Sequence, residues 1–200
     1  MEFINTMQLI FATQNQHKLF EVTKLIDLSI QLLSLNDINY TPEIEETAST
    51  IEENASLKAW HIYNHTCNNC FGDDSGLEIE ALNMEPGVYS ARYAGVHKSD
   101  SDNIKKVLHE MKSKTNRAAQ FKTIISLVME GKEHIFEGII QGSIAEKPKG
   151  VNGFGYDPIF IPKGQRLTFA EMSIEKKNRI SHRSIAVGKL VNFLNNRNSL

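Results

Sequence analysis

Four short stretches of the chain carry side chains suited to holding and cutting a phosphorylated ligand. Thr13-Gln14-Asn15-Gln16-His17-Lys18 lies where an apolar run ends and a helical pattern begins. A helix N-terminus offers unpaired backbone N–H groups and a partial positive charge, so an anion settles there readily. Asn15 adds an amide donor and Lys18 a point charge. The plainer reading is that Thr13 or Asn15 caps the helix and Lys18 is solvated. The stretch is not a Walker loop, because nothing matches G-x-x-x-x-G-K-[ST].

The second stretch is acidic. Glu45-Glu46 precedes a helical pattern, and Asp73-Asp74 ends a short apolar strand ahead of Ser75-Gly76. Carboxylates at such a strand end stay ionised only if wet, paired or metal-bound. Mg²⁺ takes one or two carboxylates together with phosphates and waters, and an Asp beside the ion can deprotonate a water. The competing reading makes D-S-G a turn and Glu45 an ordinary loop acid.

In the third stretch, Asn152-Gly153-Phe154-Gly155-Tyr156-Asp157-Pro158, glycines on either side of Phe154 let backbone approach a ligand, and the ring offers a stacking face. Asp157 is placed to accept a hydrogen bond from a sugar or base; otherwise this is an aromatic loop with Phe154 in the core. The fourth, 176–184, is basic, with Lys177, His182 and Arg183 around a candidate N-cap, Ser181. Arg183 in a first helical turn opposes the dipole preference, so an anionic or carbonyl partner is the sharper reading and a solvated basic run the blander. A fifth pattern, His61-x₃-His65-x-Cys67-x₂-Cys70, has zinc half-sites, but one residue between the halves leaves little room to wrap an ion. Asn54, Lys58, His61 and His65 share a helical stripe, which assigns both histidines to a polar face.

The elements that must position these groups follow from apolar periodicity. Residues 7–13 and 30–35 read as strands, 16–28 and 51–64 as helices, 70–73 as a brief strand and 76–82 as extended chain. Residues 101–113 read as a helix, 118–145 as a long hairpin turning at Glu130-Gly131-Lys132, and 152–162 as a glycine loop entering a strand. A short helix near 171–176 and a longer one over 181–196 close the chain. This order predicts a mixed α/β sheet with flanking helices, antiparallel in part.

Of 200 residues, 40% are hydrophobic, enough for a core, and 22 lysines and arginines against 24 acids give a net charge of −2. That excludes a globally basic nucleic-acid binder while allowing a local basic pocket. Two cysteines make no disulfide framework, no apolar run reaches membrane-helix length, and Glu2 stands where a signal peptide has a cation. The expectation is a cytoplasmic protein with one two-lobed domain over 7–197 and an extension at 1–6.

Taken together, FATQNQHKLFEV, IEETAS with ENASLKA, FGDDSGLEIEAL with PGVYSARYAG, GVNGFGYDPIF and AEMSIEKKNRISHR resemble, in order, the inosine and xanthosine triphosphate pyrophosphatases. The resemblance covers the chain from Met7 to the C-terminal helix. It implies an elongated mixed α/β fold with two lobes around a nucleotide cleft, a homodimer, and Mg²⁺-dependent hydrolysis of deaminated purine nucleoside triphosphates to monophosphate and pyrophosphate. By the same resemblance Thr13, Gln14, Asn15, Gln16, His17 and Lys18 form the triphosphate turn, and Glu45 and Asp74 hold Mg²⁺ with Asp74 as proton acceptor. Ser75 contacts substrate; Phe154, Gly155, Tyr156 and Asp157 form the base and sugar loop; Lys177, His182 and Arg183 complete the nucleotide contacts, with Lys58 and Arg92 added. Many relatives have glycine where Gln14 stands. The rival readings are a pyrophosphatase with another base preference and a non-catalytic nucleotide or RNA module, which would leave Glu45, Asp73 and Asp74 unexplained beside phosphate.

Overall fold

The computed structural model describes residues 7–27 and 29–198. The expected extension at 1–6 and Leu28 at the expected end of the first helix lie outside them. In chain order come β1 (Met7–Phe11), α1 (Gln16–Thr23), β2 (Ile30–Leu33), α2 (Ile51–Thr66), β3 (Cys70–Ile79) and α3 (Asp100–Glu110). They are followed by β4 (Ala118–Met129), β5 (Lys132–Ile144), β6 (Phe160–Pro162), α4 (Ile174–Asn178) and α5 (His182–Asn198). Short 3₁₀ turns occupy Glu80–Leu82, Gly87–Arg92, Asp157–Ile159 and Phe169–Glu171.

The strands form one six-stranded sheet in the order β2-β1-β3-β4-β5-β6. β1 runs parallel to β2 (Met7 opposite Ile30) and to β3 (Ile10 opposite Cys70), while β5 and β6 are antiparallel (Ser143 opposite Ile161). The expected mixed α/β sheet with flanking helices is therefore present. At the β4–β5 hairpin both Glu130 (φ 52°) and Gly131 (φ 72°) have positive φ, the two-residue turn whose twist matches the strands.

Two compact units divide the chain: one takes in residues up to Asp74, Ile124–Glu137 and Ser184 onward; the other Ser75–Thr123 and Gly138–Arg183. In the first unit one core gathers Leu9, Phe11, Val22, Phe71, Ile125, Leu127, Ala186, Val187, Leu190 and Leu194. Phe11 and Phe71 stack across β1 and β3 at 4.4 Å. A second core sets Ile10, Ala12, Tyr40, Ala59, Ile62 and Val128 together. In the second unit Leu77, Ile79, Val107, Met111, Phe121, Ile159, Phe160 and Phe169 form the core.

Two elements differ from the sequence expectation for identifiable reasons. α1 ends at Thr23 with Lys24 as its cap. Leu25 and Ile26, which extend the apolar spacing, follow in a turn bonded to Val22 and still pack on the core. β3 does not break at its acids but runs through them to Ile79. It can do so because α2 lies almost on its backbone: a Cβ at Gly72 would stand 2.3 Å from Ala55 O and 2.9 Å from Ala59 N. Only glycine permits that approach, and it brings Lys58 over the acids that follow.

Candidate active site

In the first unit the turn after β1 is built around Asn15. Its Oδ1 accepts from His17 N (2.9 Å) and Lys18 N (3.1 Å), and Thr13 Oγ1 accepts from Asn15 N. Asn15 is thus the N-cap of α1, and it occupies two of the backbone donors that an anion was expected to use. Gln14, Asn15, Gln16 and His17 are exposed; Thr13 and Lys18 are half-buried. Lys18 is not solvated. Its Nζ pairs with Asp73 Oδ1, donates to Asp73 O at 3.2 Å, and lies 3.9 Å from Asp74 Oδ1.

The second half of this group comes from α2. Lys58 Nζ stands 2.7 Å from Glu46 Oε1 and 3.4 Å from Asp74 Oδ1. Burial alone would lower the Lys58 pKa, but the charges of Asp74 and Glu46 outweigh it and hold the ammonium above its usual range. Asp74 is pushed the other way. Burial raises its pKa, Lys58 and Lys18 oppose the rise, and Glu46 and Asp73 add to it, leaving the carboxyl above the ordinary value. A carboxyl so shifted is a stronger base once ionised, as a water-activating group requires.

The structure brings Glu46 into this cluster and leaves Glu45 exposed. Exposure alternates along Ile44, Glu45, Glu46 and Thr47, and Glu46 is the member of the doublet that meets Lys58. Glu46 and Asp74 offer hard carboxylate oxygens, the donors Mg²⁺ accepts. Asn54 and Lys58, assigned with the histidines to a polar stripe, are both buried, at 0% and 6% exposure. His61 and His65 are exposed, with Tyr40 OH 2.5 Å from His61 Nε2. Cys67 is the exposed left-handed cap of α2, whereas Cys70 is buried with its thiol donating to Ala59 O. Among the described residues, no three His, Cys, Asp or Glu side chains gather for a metal ion.

In the second unit the glycine loop folds around Asp157. Asp157 Oδ2 accepts from Phe154 N at 3.0 Å and from Lys177 Nζ at 2.5 Å. Gly153 and Gly155 have φ of 76° and 58°, and a Cβ on Gly153 would lie 1.9 Å from Asp157 Oδ2. Asp157, expected to meet a sugar or base, uses Oδ2 to hold Phe154 and to pair with Lys177. Tyr156 is buried and donates to Ser90 O, so it anchors the loop rather than lining it. Asp100 Oδ2 accepts from Gly155 N at 2.7 Å, a further tie that no local sequence signal announces.

Phe154 is half-buried, with Lys177 Nζ 5.2 Å and Arg183 Cζ 5.7 Å from its ring centre. Arg183, 1% exposed, donates to Ser75 Oγ at 2.9 Å, and Ser75 Oγ lies 2.7 Å from Thr123 Oγ1. This partner is a neutral hydroxyl and not the anionic or carbonyl group that the sequence led one to expect beside Arg183. His182 stacks on Phe121 at 4.5 Å. Arg92 ends the Gly87–Arg92 turn with its guanidinium over Tyr89. Phe154, Lys177 and Arg183 are therefore gathered directly; Ser75 is joined to them through Arg183.

The fold and these groups define a mixed α/β protein with an acid–lysine cluster on β3 and an aromatic ring braced by two buried cations. The chain belongs to the Ham1 family, whose sequence profile matches residues 9–193. It is 50% identical over 188 residues to the dITP/XTP pyrophosphatase of Christiangramia forsetii, covering 94% of this chain and 99% of that one. The dITP/XTP pyrophosphatase of Flavobacterium psychrophilum is 50% identical over 190 residues, 95% of this chain and 100% of that one. The solved structure of the Staphylococcus aureus Ham1 protein matches with a TM-score of 0.87 at 41% identity, covering 95% and 99%.

Proposed function

We propose that this chain hydrolyses deaminated purine nucleoside triphosphates (ITP, dITP and XTP) to the nucleoside monophosphate and pyrophosphate. The observation that carries the reading is the buried Asp74 carboxyl with Lys58 3.4 Å away and Lys18 beside it. An ionised Asp74 takes a proton from water as the water oxygen bonds to the α-phosphorus. The bond from that phosphorus to the bridging oxygen breaks, and pyrophosphate leaves with the electron pair. Lys18 and Lys58 offset charge on the polyphosphate, and positioning with charge neutralisation supplies most of the acceleration.

The proposed cofactor is Mg²⁺, held by Asp74 with an acid of the Glu45-Glu46 pair, Glu46 being the one already beside Lys58. When bound, such an ion neutralises phosphate charge and lowers the pKa of a coordinated water. Phe154 stacks on the purine, while Arg183 and donors near His182 meet a 6-oxo group. Adenine presents an amino donor there, and a site built on such pairing rejects the mismatched partner by about 10⁴–10⁵. The reading extends to a homodimer in the cytoplasm.

No helix among the described residues is long and apolar enough to cross a membrane. The test is pyrophosphate release from ITP, dITP, XTP, GTP and ATP with and without Mg²⁺. Fast, Mg²⁺-dependent release from the first three supports the proposal. Equal efficiency on all five defeats the selectivity, and tight binding without release makes the chain a binding module.

A further inference from the structure

We propose that Asn54 is a positioning residue, which together with Gln14 pins the acidic loop at its two ends so that Glu46 is delivered to Lys58. Residues 41–50 belong to no helix or strand, so side chains must set their course. At the start of the loop, Gln14 Nε2 donates to Thr41 O (3.2 Å) and Pro42 O (3.0 Å). At its end, Asn54 Oδ1 accepts from Ala48 N at 3.0 Å. Asn54 and Lys58 are four residues apart on α2 and so share a face one turn apart. The first fixes Ala48, and the second meets Glu46 two residues earlier.

Asn54 is fully buried, and its Nδ2 has no hydrogen-bond partner among the described residues. A buried unmet donor weakens a fold, so packing does not account for asparagine here, whereas an acceptor aimed at Ala48 N does. Gln14 stands where a glycine-bearing turn would have no side chain to reach the loop. The pin thus couples the β1–α1 turn to the acids through this chain's own residues.

This inference rests on the reading of the Glu46–Lys58–Asp74 cluster as the phosphate-handling centre. The experiment compares Asn54→Ala, Asn54→Asp and Gln14→Ala by hydrogen–deuterium exchange over residues 41–49 and by steady-state kinetics with ITP. Asn54→Ala is expected to raise exchange there and to lower kcat about 10-fold to 100-fold, with KM changed less than about threefold. Asn54→Asp keeps the acceptor and recovers protection and most of kcat; Gln14→Ala loosens the Thr41–Pro42 end alone. Wild-type exchange in Asn54→Ala, or an aspartate variant as damaged as the alanine one, overturns the proposal. If Asn54→Ala does not fold, the other two variants decide by the same exchange readout. If the wild-type chain leaves ITP intact, the functional reading fails while the exchange comparison still judges the pin.

Discussion

Lys177 Nζ meets Asp157 Oδ2 at 2.5 Å, and each side chain is 3% exposed. The same carboxylate oxygen takes Phe154 N, so one buried ion pair holds the glycine loop in place and keeps an ammonium beside the Phe154 ring. Removing one member of a buried pair costs about 3–5 kcal/mol, because a charge is left in a dry site. Asp157→Ala is therefore expected to lower the melting temperature by about 6–20 °C and to weaken ITP binding. Asp157→Asn, which can still accept from Phe154 N, should lose less. Thermal melts settle it: an alanine variant within about 2 °C of wild type shows the pair is no brace.

Asp74 carries the second prediction. Asp74→Asn is expected to lower kcat by about 10²–10⁴, the usual loss when a general base is removed. Stability should move the other way. A carboxyl whose folded pKa lies above its unfolded value is disfavoured when ionised, so its burden is full above the folded pKa and vanishes below the unfolded one. Near pH 7 the neutral amide should leave the fold at least as stable as wild type. Urea titration beside initial rates measures both, and a variant that turns over normally at saturating substrate removes Asp74 from its role.

The single tryptophan supplies a third. Trp60 Nε1 donates to Glu133 Oε2 at 3.1 Å, and Ser126 Oγ donates to Glu133 Oε1 at 2.7 Å. Burial would raise the Glu133 pKa, but hydrogen bonds from Ser56, Ser126 and Trp60 prevail and hold it low. The stabilisation is therefore present above the unfolded value of about 4.3 and is lost as pH falls through the lowered folded one. Glu133 is substantially exposed, so the effect is under about 1 kcal/mol. Trp60 fluorescence should shift in that acid window in wild type and stay flat in Glu133→Gln.

The two thiols should separate cleanly. Cys67 is exposed, while burial pushes the Cys70 pKa up to about 12. A disulfide-exchange reagent near pH 8 is expected to titrate one thiol in the folded protein and two in denaturant. Two fast thiols in the native state contradict the placement of Cys70.

Much of the site was readable from the sequence because its groups lie close together in the chain or at helical spacing. The Thr13–Lys18 turn and the Gly153–Asp157 loop stand where apolar periodicity put them, and Asp73-Asp74 lies on the expected strand, though that strand runs on past them to Ile79. What escaped were choices made in three dimensions. Glu45 and Glu46 are equivalent in composition, and only the course of the loop over α2 makes Glu46 the one that pairs with Lys58. Asn54 and Lys58 share a stripe with exposed histidines, and only the approach allowed by Gly72 buries the upper half of that stripe. Nothing local tells that Lys177, twenty residues on, returns to Asp157.

The core that seats Leu9 and Phe11 also needs Ala186, Val187, Leu190 and Leu194. β1 begins that interior with Val22 and Phe71, and α5 closes it from the other end of the described chain. Trimming that helix should therefore loosen β1 before it disturbs the separate interior around Leu77, Phe121 and Phe160.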